Sequence, residues 1–203
     1  MVLSLQGPMA VGKTTACRYA EKHRKDLYVS YEDTAPIIDE VRRRNLKQNE
    51  HDDYLEIQRI WIRAMIDRYR QAEKHSLSLM DYGPEEIEFH TIFYPRSIGK
   101  NWEIETELKN ELKELRACKV SSILFLDATE PELRRRKEGD ETRSRESFDR
   151  FLGNMLDLKR KWFKGRSDTN IMFTDGMRPE DIGLMVCTWV DMMRMMDSSN
   201  LKF

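Results

Sequence analysis

Eight residues near the start of the chain constrain its fold more than any other stretch. Gly7-Pro8-Met9-Ala10-Val11-Gly12-Lys13-Thr14 has the spacing G-x-x-x-x-G-K-[ST]. It follows an apolar run, Val2-Leu3-Ser4-Leu5, and leads into a helical pattern, so it calls for a strand, a tight loop and a helix in that order. The chemistry behind the spacing is anion binding. A loop that wraps a polyphosphate must offer backbone N–H groups with no side chain in the way, which Gly7 and Gly12 permit. A helix starting near Lys13 adds its unpaired N–H groups and the positive end of its dipole. Lys13 would reach the β- and γ-phosphates, and the Thr14 hydroxyl would ligate Mg²⁺. A glycine turn between strand and helix explains none of Lys13-Thr14 at this place. The cofactor set is therefore Gly7, Pro8, Met9, Ala10, Val11, Gly12, Lys13, Thr14 and Thr15, with ATP and Mg²⁺ as the cofactors.

The rest of the composition narrows the class. A chain of 203 residues suits a single domain, 1–203, with a real core. The net charge of −1 gives no bulk attraction to a polyanion, so no nucleic-acid polymer is expected as partner. A charged fraction of 35% alongside regularly spaced apolar residues reads as solvated helix faces rather than disorder. Cys17, Cys118 and Cys187 are isolated and lack metal spacing, as expected of reduced thiols in a cytoplasmic protein. The chain runs straight into a strand, so no signal peptide is expected, and no apolar run is long enough to span a bilayer.

Five short apolar runs, Val2–Leu5, Leu27–Tyr31, Leu77–Met80, Ile123–Leu126 and Ile171–Phe173, alternate with helical patterns. The helices are predicted over about 13–24, 36–46, 50–74, 84–95, 103–117, 130–137, 146–163 and 179–196. Such alternation predicts an α/β fold, a parallel sheet covered on both faces. Pro84 and Pro179 suit first-turn positions, and Thr129 with Glu132 has capping-box spacing. Ile104, Leu108, Leu112 and Leu115 form one apolar stripe; Ile182, Met185, Trp189, Met193 and Met196 form another.

In open parallel sheets ligands bind beyond the carboxyl ends of strands, so strand-end residues are the candidates for chemistry. After the second run, Glu32 is assigned to chemistry, as proton acceptor or through Mg²⁺ and water, and Asp33 to capping the next helix. The third run ends in Asp81, which beside a phosphate loop orients Mg²⁺ or its waters, making Thr14 and Asp81 the metal pair. Tyr94 and Arg96 would border an acceptor pocket, while His90 reads as a solvated helix residue. Gln58 is an amide among Tyr54, Trp61, Ile62 and Met65; taken alone it is an edge residue touching water, and alternatively it reads a planar substrate. Asp127 begins the turn into the next helix. Arg136, Arg143 and Arg145, around Gly139, suit a lid over about 130–150 that closes on phosphates, with two or three of them at the transferred phosphoryl group. Asp175 and Met177, after the last strand, would line the adenine through backbone contacts, although Asp175, Gly176 and Pro179 are also ordinary turn residues.

With these pieces placed, the chain resembles the thymidylate kinase-like superfamily, which includes nucleoside monophosphate kinases and deoxynucleoside kinases. The resemblance rests on Gly7–Thr14, Glu32, the Asp81 strand, the arginine lid and the Asp175–Pro179 loop. It implies a P-loop NTPase three-layer sandwich with a five-stranded parallel sheet and ATP·Mg²⁺ as donor. It also implies that Glu32 acts as base, that Gln58 reads a nucleobase, and that a homodimer is common among such proteins. One position departs from the pattern: an arginine commonly follows the third-strand acid, and here it is Tyr82. The expected function is transfer of the γ-phosphate of ATP to a nucleoside or nucleoside monophosphate, with Lys13, Glu32, Arg136, Arg143 and Arg145 as the catalytic set. The alternatives are a kinase of another hydroxyl compound (antibiotic, cofactor precursor or sugar) and a non-catalytic ATP-binding switch.

Overall fold

The computed structural model describes residues 1–138 and 145–200, the side chains of 145–147 and 198–200 excepted. Five strands, β1 (Val2–Gln6), β2 (Tyr28–Ser30), β3 (Ser78–Asp81), β4 (Ser122–Asp127) and β5 (Thr169–Phe173), form one parallel sheet in the order β2-β3-β1-β4-β5. The helices are α1 (Lys13–His23), α2 (Ala35–Arg43), α3 (His51–Ala72), α4 (Pro84–Ser97), α5 (Ile104–Glu107), α6 (Lys109–Ala117), α7 (Glu130–Glu138), α8 (Arg145–Asn154), α9 (Leu156–Lys164) and α10 (Pro179–Asn200).

Both faces of the sheet are buried, and the period-2 alternation of strands sorts their side chains between them. Leu3, Leu5 and Leu79 join the core under α1 and α10, with Ala16, Cys17, Ala20, Ile182, Val186 and Val190. Val2 and Met80 join the opposite core, with Ile62, Met65, Leu108, Leu112 and Leu115 from α3 and the α5–α6 segment. β1 lies at the centre, paired with β3 on one side and β4 on the other, with Leu5 level with Asp81 and Gln6 with Phe125. That register brings the loop after β1 beside the acid that ends β3. No described helix is long and apolar enough to cross a membrane.

Five expectations need correcting. The pattern over 103–117 contains two helices, broken at Leu108 (φ −108°, ψ 27°), and that over 146–163 also contains two, broken at Met155 (φ −121°, ψ −25°). Leu108 and Met155 are both buried, and a one-residue break leaves apolar periodicity almost undisturbed. On α10, Ile182, Trp189 and Met193 do pack inward, but Val186 and Val190 carry the stripe between them, while Met185 and Met196 are exposed. Thr129 and Glu132 form no capping box: the Thr129 hydroxyl donates to Asp175, and Glu132 binds Arg135 and Arg136. A tertiary partner for Thr129 and two arginines of Glu132's own helix outcompete the local cap. The fifth strand starts two residues earlier than its apolar run, at Thr169, with Ile171 and Phe173 exposed.

Candidate active site

The loop after β1 takes three left-handed backbone conformations, at Gly7 (φ +144°), Ala10 (φ +63°) and Gly12 (φ +102°), the kind of geometry that turns successive N–H groups toward one point. A Cβ on Gly7 would collide with the Leu126 carbonyl oxygen, so glycine is required there by space as well as by φ. Gly12 caps α1, and Val11 is fully buried in the core, which fixes the loop from below. Pro8 is buried, Met9 and Ala10 are half-buried, and Thr14 and Thr15 are exposed. The Lys13 ammonium donates to the carbonyls of Gly7 (3.0 Å) and Pro8 (2.7 Å) and lies 4.3 Å from the centre of the Tyr82 ring.

The Thr14 hydroxyl donates to Asp81 Oδ2 at 2.6 Å. The other carboxylate oxygen, Oδ1, is buried without a hydrogen-bond partner. A buried unsatisfied anion oxygen is costly. Its position next to a hydroxyl that points the same way fits a hard, oxygen-seeking cation or its water shell. These residues therefore suit Mg²⁺, which would take its remaining ligands from phosphate oxygens and water; among the described residues no cluster of three or more acids, histidines or cysteines could hold a metal without them.

Beside the loop lies a cavity of about 290 Å³ that Met9, Glu32, Gln58, Trp61, Tyr82 and Tyr94 help to line. Glu32 also lines a small neighbouring cleft, into which Arg68 of α3 comes. Arg68 donates to the carbonyl oxygens of Asp81 (3.0 Å) and Tyr82. Burial lowers its pKa, while Glu32 and then Asp81 act the other way. Sequence reasoning passed over Arg68, since an arginine on a long polar helix reads as solvated. Tyr82, by contrast, was visible as a departure from the pattern, and the structure gives it a left-handed backbone (φ +60°) and a buried ring. For a bulky side chain that conformation costs about 1–2 kcal/mol, and it sets the ring against Lys13. Asp33 lies beside this wall, its carboxylate accepting from the Ala35 N–H at 3.2 Å, at the start of α2.

Gln58 is no edge amide. It is 6% exposed, its Oε1 accepts from the Thr91 hydroxyl (2.8 Å), and it lines the cavity. Tyr94 lines it too, stacked on Tyr54 at 5.7 Å between ring centres. Arg96 does not: its guanidinium lies over the Phe93 ring, 5.5 Å from the centroid. Glu86, His90 and Tyr94 follow one another at i, i+4 on the cavity side of α4, and a residue two positions past Tyr94 turns to the far side. His90, read as solvated, instead lines the cavity with Nε2 at 3.2 Å from Glu86 Oε1.

The deep wall holds a pair no sequence signal announced. Lys159 of α9, 1% exposed, donates to Glu86 Oε1 at 2.6 Å. Burial would raise the Glu86 pKa, but Lys159 and then His90 hold it well below the usual carboxylate range. Lys159 also lies 5.1 Å from the centre of the Tyr82 ring, so that ring carries ammonium groups from both the phosphate loop and the deep wall.

On the far side of the loop, Arg136 donates to the carbonyls of Val11 (2.9 Å) and Thr174 and pairs with Glu132. It braces the loop against the connection that follows β5, and it is not among the residues that line the cavity. Arg143 and the Arg145 side chain lie outside the described residues. The carboxylate of Asp175 accepts from the Thr129 N–H (3.1 Å) and hydroxyl, tying the β5 connection to the start of α7. Met177 packs, partly buried, against the core that also holds Ile182 of α10, whose side chain lies next to Gly12. Asp127, buried, accepts from the Ala128 N–H (2.9 Å) and from Arg160 (3.0 Å).

No family model and no curated protein matches the sequence. Solved structures do. Deoxyadenosine kinase from M. mycoides superposes with a TM-score of 0.69 at 11% identity, over 94% of this chain and 99% of that one. Thymidylate kinase from Candida albicans superposes with a TM-score of 0.62 at 13% identity, over 94% of this chain and 91% of that one. At such identities the likeness establishes the fold: a thymidylate/deoxynucleoside kinase-like P-loop kinase fold, α/β with a five-stranded parallel sheet.

Proposed function

We propose that the chain is an ATP-dependent phosphotransferase that passes the γ-phosphoryl group to a small acceptor held in the 290 Å³ cavity, either to a hydroxyl of a nucleoside or to a phosphate oxygen of a nucleoside monophosphate. The observation that carries this reading is the contact between Thr14 and Asp81, 2.6 Å, at the end of a phosphate loop whose Met9 also lines a cavity holding Glu32. Donor and acceptor sites thus share a wall. The fold neighbours, a deoxyadenosine kinase and a thymidylate kinase, support the same reaction class.

In this mechanism Lys13 exchanges the carbonyls of Gly7 and Pro8 for phosphate oxygens, and the N–H groups of the loop and of α1 take the rest of the charge. Mg²⁺ held by Thr14 and Asp81 would neutralise charge on the polyphosphate. The acceptor oxygen forms its bond to phosphorus while the bond from phosphorus to the β-phosphate oxygen breaks and ADP leaves; where the acceptor is a hydroxyl, its proton passes to Glu32. Arg68, through the carbonyls of Asp81 and Tyr82, keeps the acid and the ring in place. The reading predicts acceptor-dependent ADP release that Lys13→Ala reduces at least about 100-fold. Turnover of the acceptor that survives this change rules out the site.

One observation favours a second reading. Tyr82 stands where an arginine commonly follows the strand acid, which suits an acceptor outside the usual nucleosides, such as another hydroxyl compound. A substrate panel that includes such compounds separates the two.

A further inference from the structure

One buried side chain at the cavity has an end to spare. Gln58 of α3 is 6% exposed and lines the cavity, with Trp61 one turn further along the same face. Its Oε1 accepts from the Thr91 hydroxyl at 2.8 Å. Its Nε2 has no hydrogen-bond partner among the described residues, and it is not one of the unpartnered side-chain atoms sealed away from solvent. A nearly buried amide nitrogen that keeps access to a cavity is a donor available to a ligand.

Thr91 decides which end of the amide that is. It is fully buried on α4, and its hydroxyl proton finds one acceptor among the described residues, Gln58 Oε1. Turning the amide over would set Nε2 against the hydroxyl and leave that proton without an acceptor, a cost that the present order avoids. The two helices are pinned together at this level. Tyr54 of α3 donates to the carbonyls of His90 (3.2 Å) and Thr91 (2.9 Å), and its ring stacks on Tyr94. The amide therefore offers the cavity its N–H groups, whereas an unrestrained amide would offer either end.

Trp61 and Tyr94, which line the same cavity, bring aromatic surface to a planar compound. The exocyclic groups of such a ring project furthest and are the first to reach a wall. An oxo group there accepts from Gln58, while an amino group brings a second donor and leaves both unpaired. Given the reading of the cavity as the acceptor site, on which this rests, we propose that Thr91 is a positioning residue for acceptor choice. By holding Gln58 in one orientation, it makes the cavity take heterocycles that present an oxo group to that wall in preference to their amino counterparts.

The test is steady-state kinetics with ATP and Mg²⁺ on matched pairs, deoxyuridine with deoxycytidine and deoxyinosine with deoxyadenosine, each run as the nucleoside and as its monophosphate. The members of a pair are alike in size and exchange an oxo group for an amino group, with the neighbouring ring nitrogen changed to match. In any pair that is used, the oxo member should exceed the amino member in kcat/KM by at least about tenfold. A preference for the amino member, or a ratio near unity, overturns the proposal. Thr91→Val keeps the shape and removes the hydroxyl, so that the amide is free to turn, and the ratio should fall to within about threefold of unity. Thr91→Ser returns a hydroxyl and should return the preference. A purely structural Thr91 would lower both members alike in the valine variant and leave their ratio unmoved, which also overturns the proposal. Thr91→Ala serves the same purpose where the valine variant fails to fold. Titrated thermal shifts with each compound alone separate this assignment from the kinase reading. Oxo compounds that bind at least about tenfold tighter without being phosphorylated uphold the oxo preference and sink the kinase reading. Turnover of both members with equal kcat/KM does the reverse. If no member of either pair binds or turns over, the role assigned to Thr91 falls.

Discussion

Glu85 gives a sharp test of how the site is supported. Its carboxyl lies under the turn between β3 and α4, 4% exposed, with Oε2 3.0 Å from the Ser4 hydroxyl. Burial pushes its pKa up from 4.5 to about 7, with its own backbone N–H and then Ser4 acting against that rise. Proton counting agrees. The Gln6 amide satisfies its surroundings with nitrogen toward Glu86 Oε2 (3.0 Å) and oxygen toward the Gly83 N–H and the Ser4 hydroxyl (both 2.9 Å). Ser4 then donates to Gln6, and the contact between Ser4 and Glu85 needs a proton from Glu85 itself. The sign follows from linkage: the folded pKa is raised, so the folded state holds a proton that the unfolded chain releases. Stability from this group is complete below pH 4.5, falls as pH rises from 4.5 to about 7, and is level above that. The size is roughly 3 kcal/mol, from 1.36 kcal/mol per pKa unit. Glu85→Gln mimics the protonated form and should flatten the trend, gaining up to about 3 kcal/mol over the wild type at pH 8 and nothing at pH 4.5. Urea unfolding of both proteins across that range measures the difference directly. A difference that is constant with pH, or that grows toward acid, refutes the protonated network.

Other perturbations probe the loop and its braces. Gly7→Ala places a Cβ against the Leu126 carbonyl at φ +144°, and should abolish ATP binding in a thermal-shift assay while costing at least about 1–2 kcal/mol of stability. Thr14→Val keeps the shape and removes the donor to Asp81, leaving both buried carboxylate oxygens without a described partner. It should cost about 1–3 kcal/mol in urea unfolding and weaken the Mg²⁺ dependence of nucleotide binding. Arg68→Met leaves the carbonyls of Asp81 and Tyr82 without their donor and should cost about 1–3 kcal/mol, with acceptor turnover falling more than ATP binding.

What could be read in the sequence follows a physical division. The donor side is local. Gly7, Gly12, Lys13 and Thr14 act within one turn of each other, and their spacing carries their geometry; the sheet that follows from alternating strands and helices then sets Asp81 beside them. Polar side chains on the acceptor side take their meaning from partners far away in sequence. Lys159 and Glu86 each look like solvated charges on helices, and only packing of α9 against α4 makes them a buried pair. Gln58 reads as an edge amide until Thr91, 33 residues on, takes its oxygen. Thr129 has the local signal of a cap, and Asp175 overrides it from 46 residues away. Arg136 shows the same rule, since its partners include the carbonyls of Val11, 125 residues away, and Thr174, 38 residues away.

The departure at Tyr82 joins the two sides. An arginine after the strand acid would put a cation between the phosphate loop and the acceptor. Here the same place holds an aromatic ring with Lys13 at 4.3 Å and Lys159 at 5.1 Å, and a cation near a ring face is drawn toward it. The ring therefore holds two cations in register without adding charge of its own. Arg68 supplies the guanidinium that the turn lacks, but delivers it to the backbone of Asp81 and Tyr82.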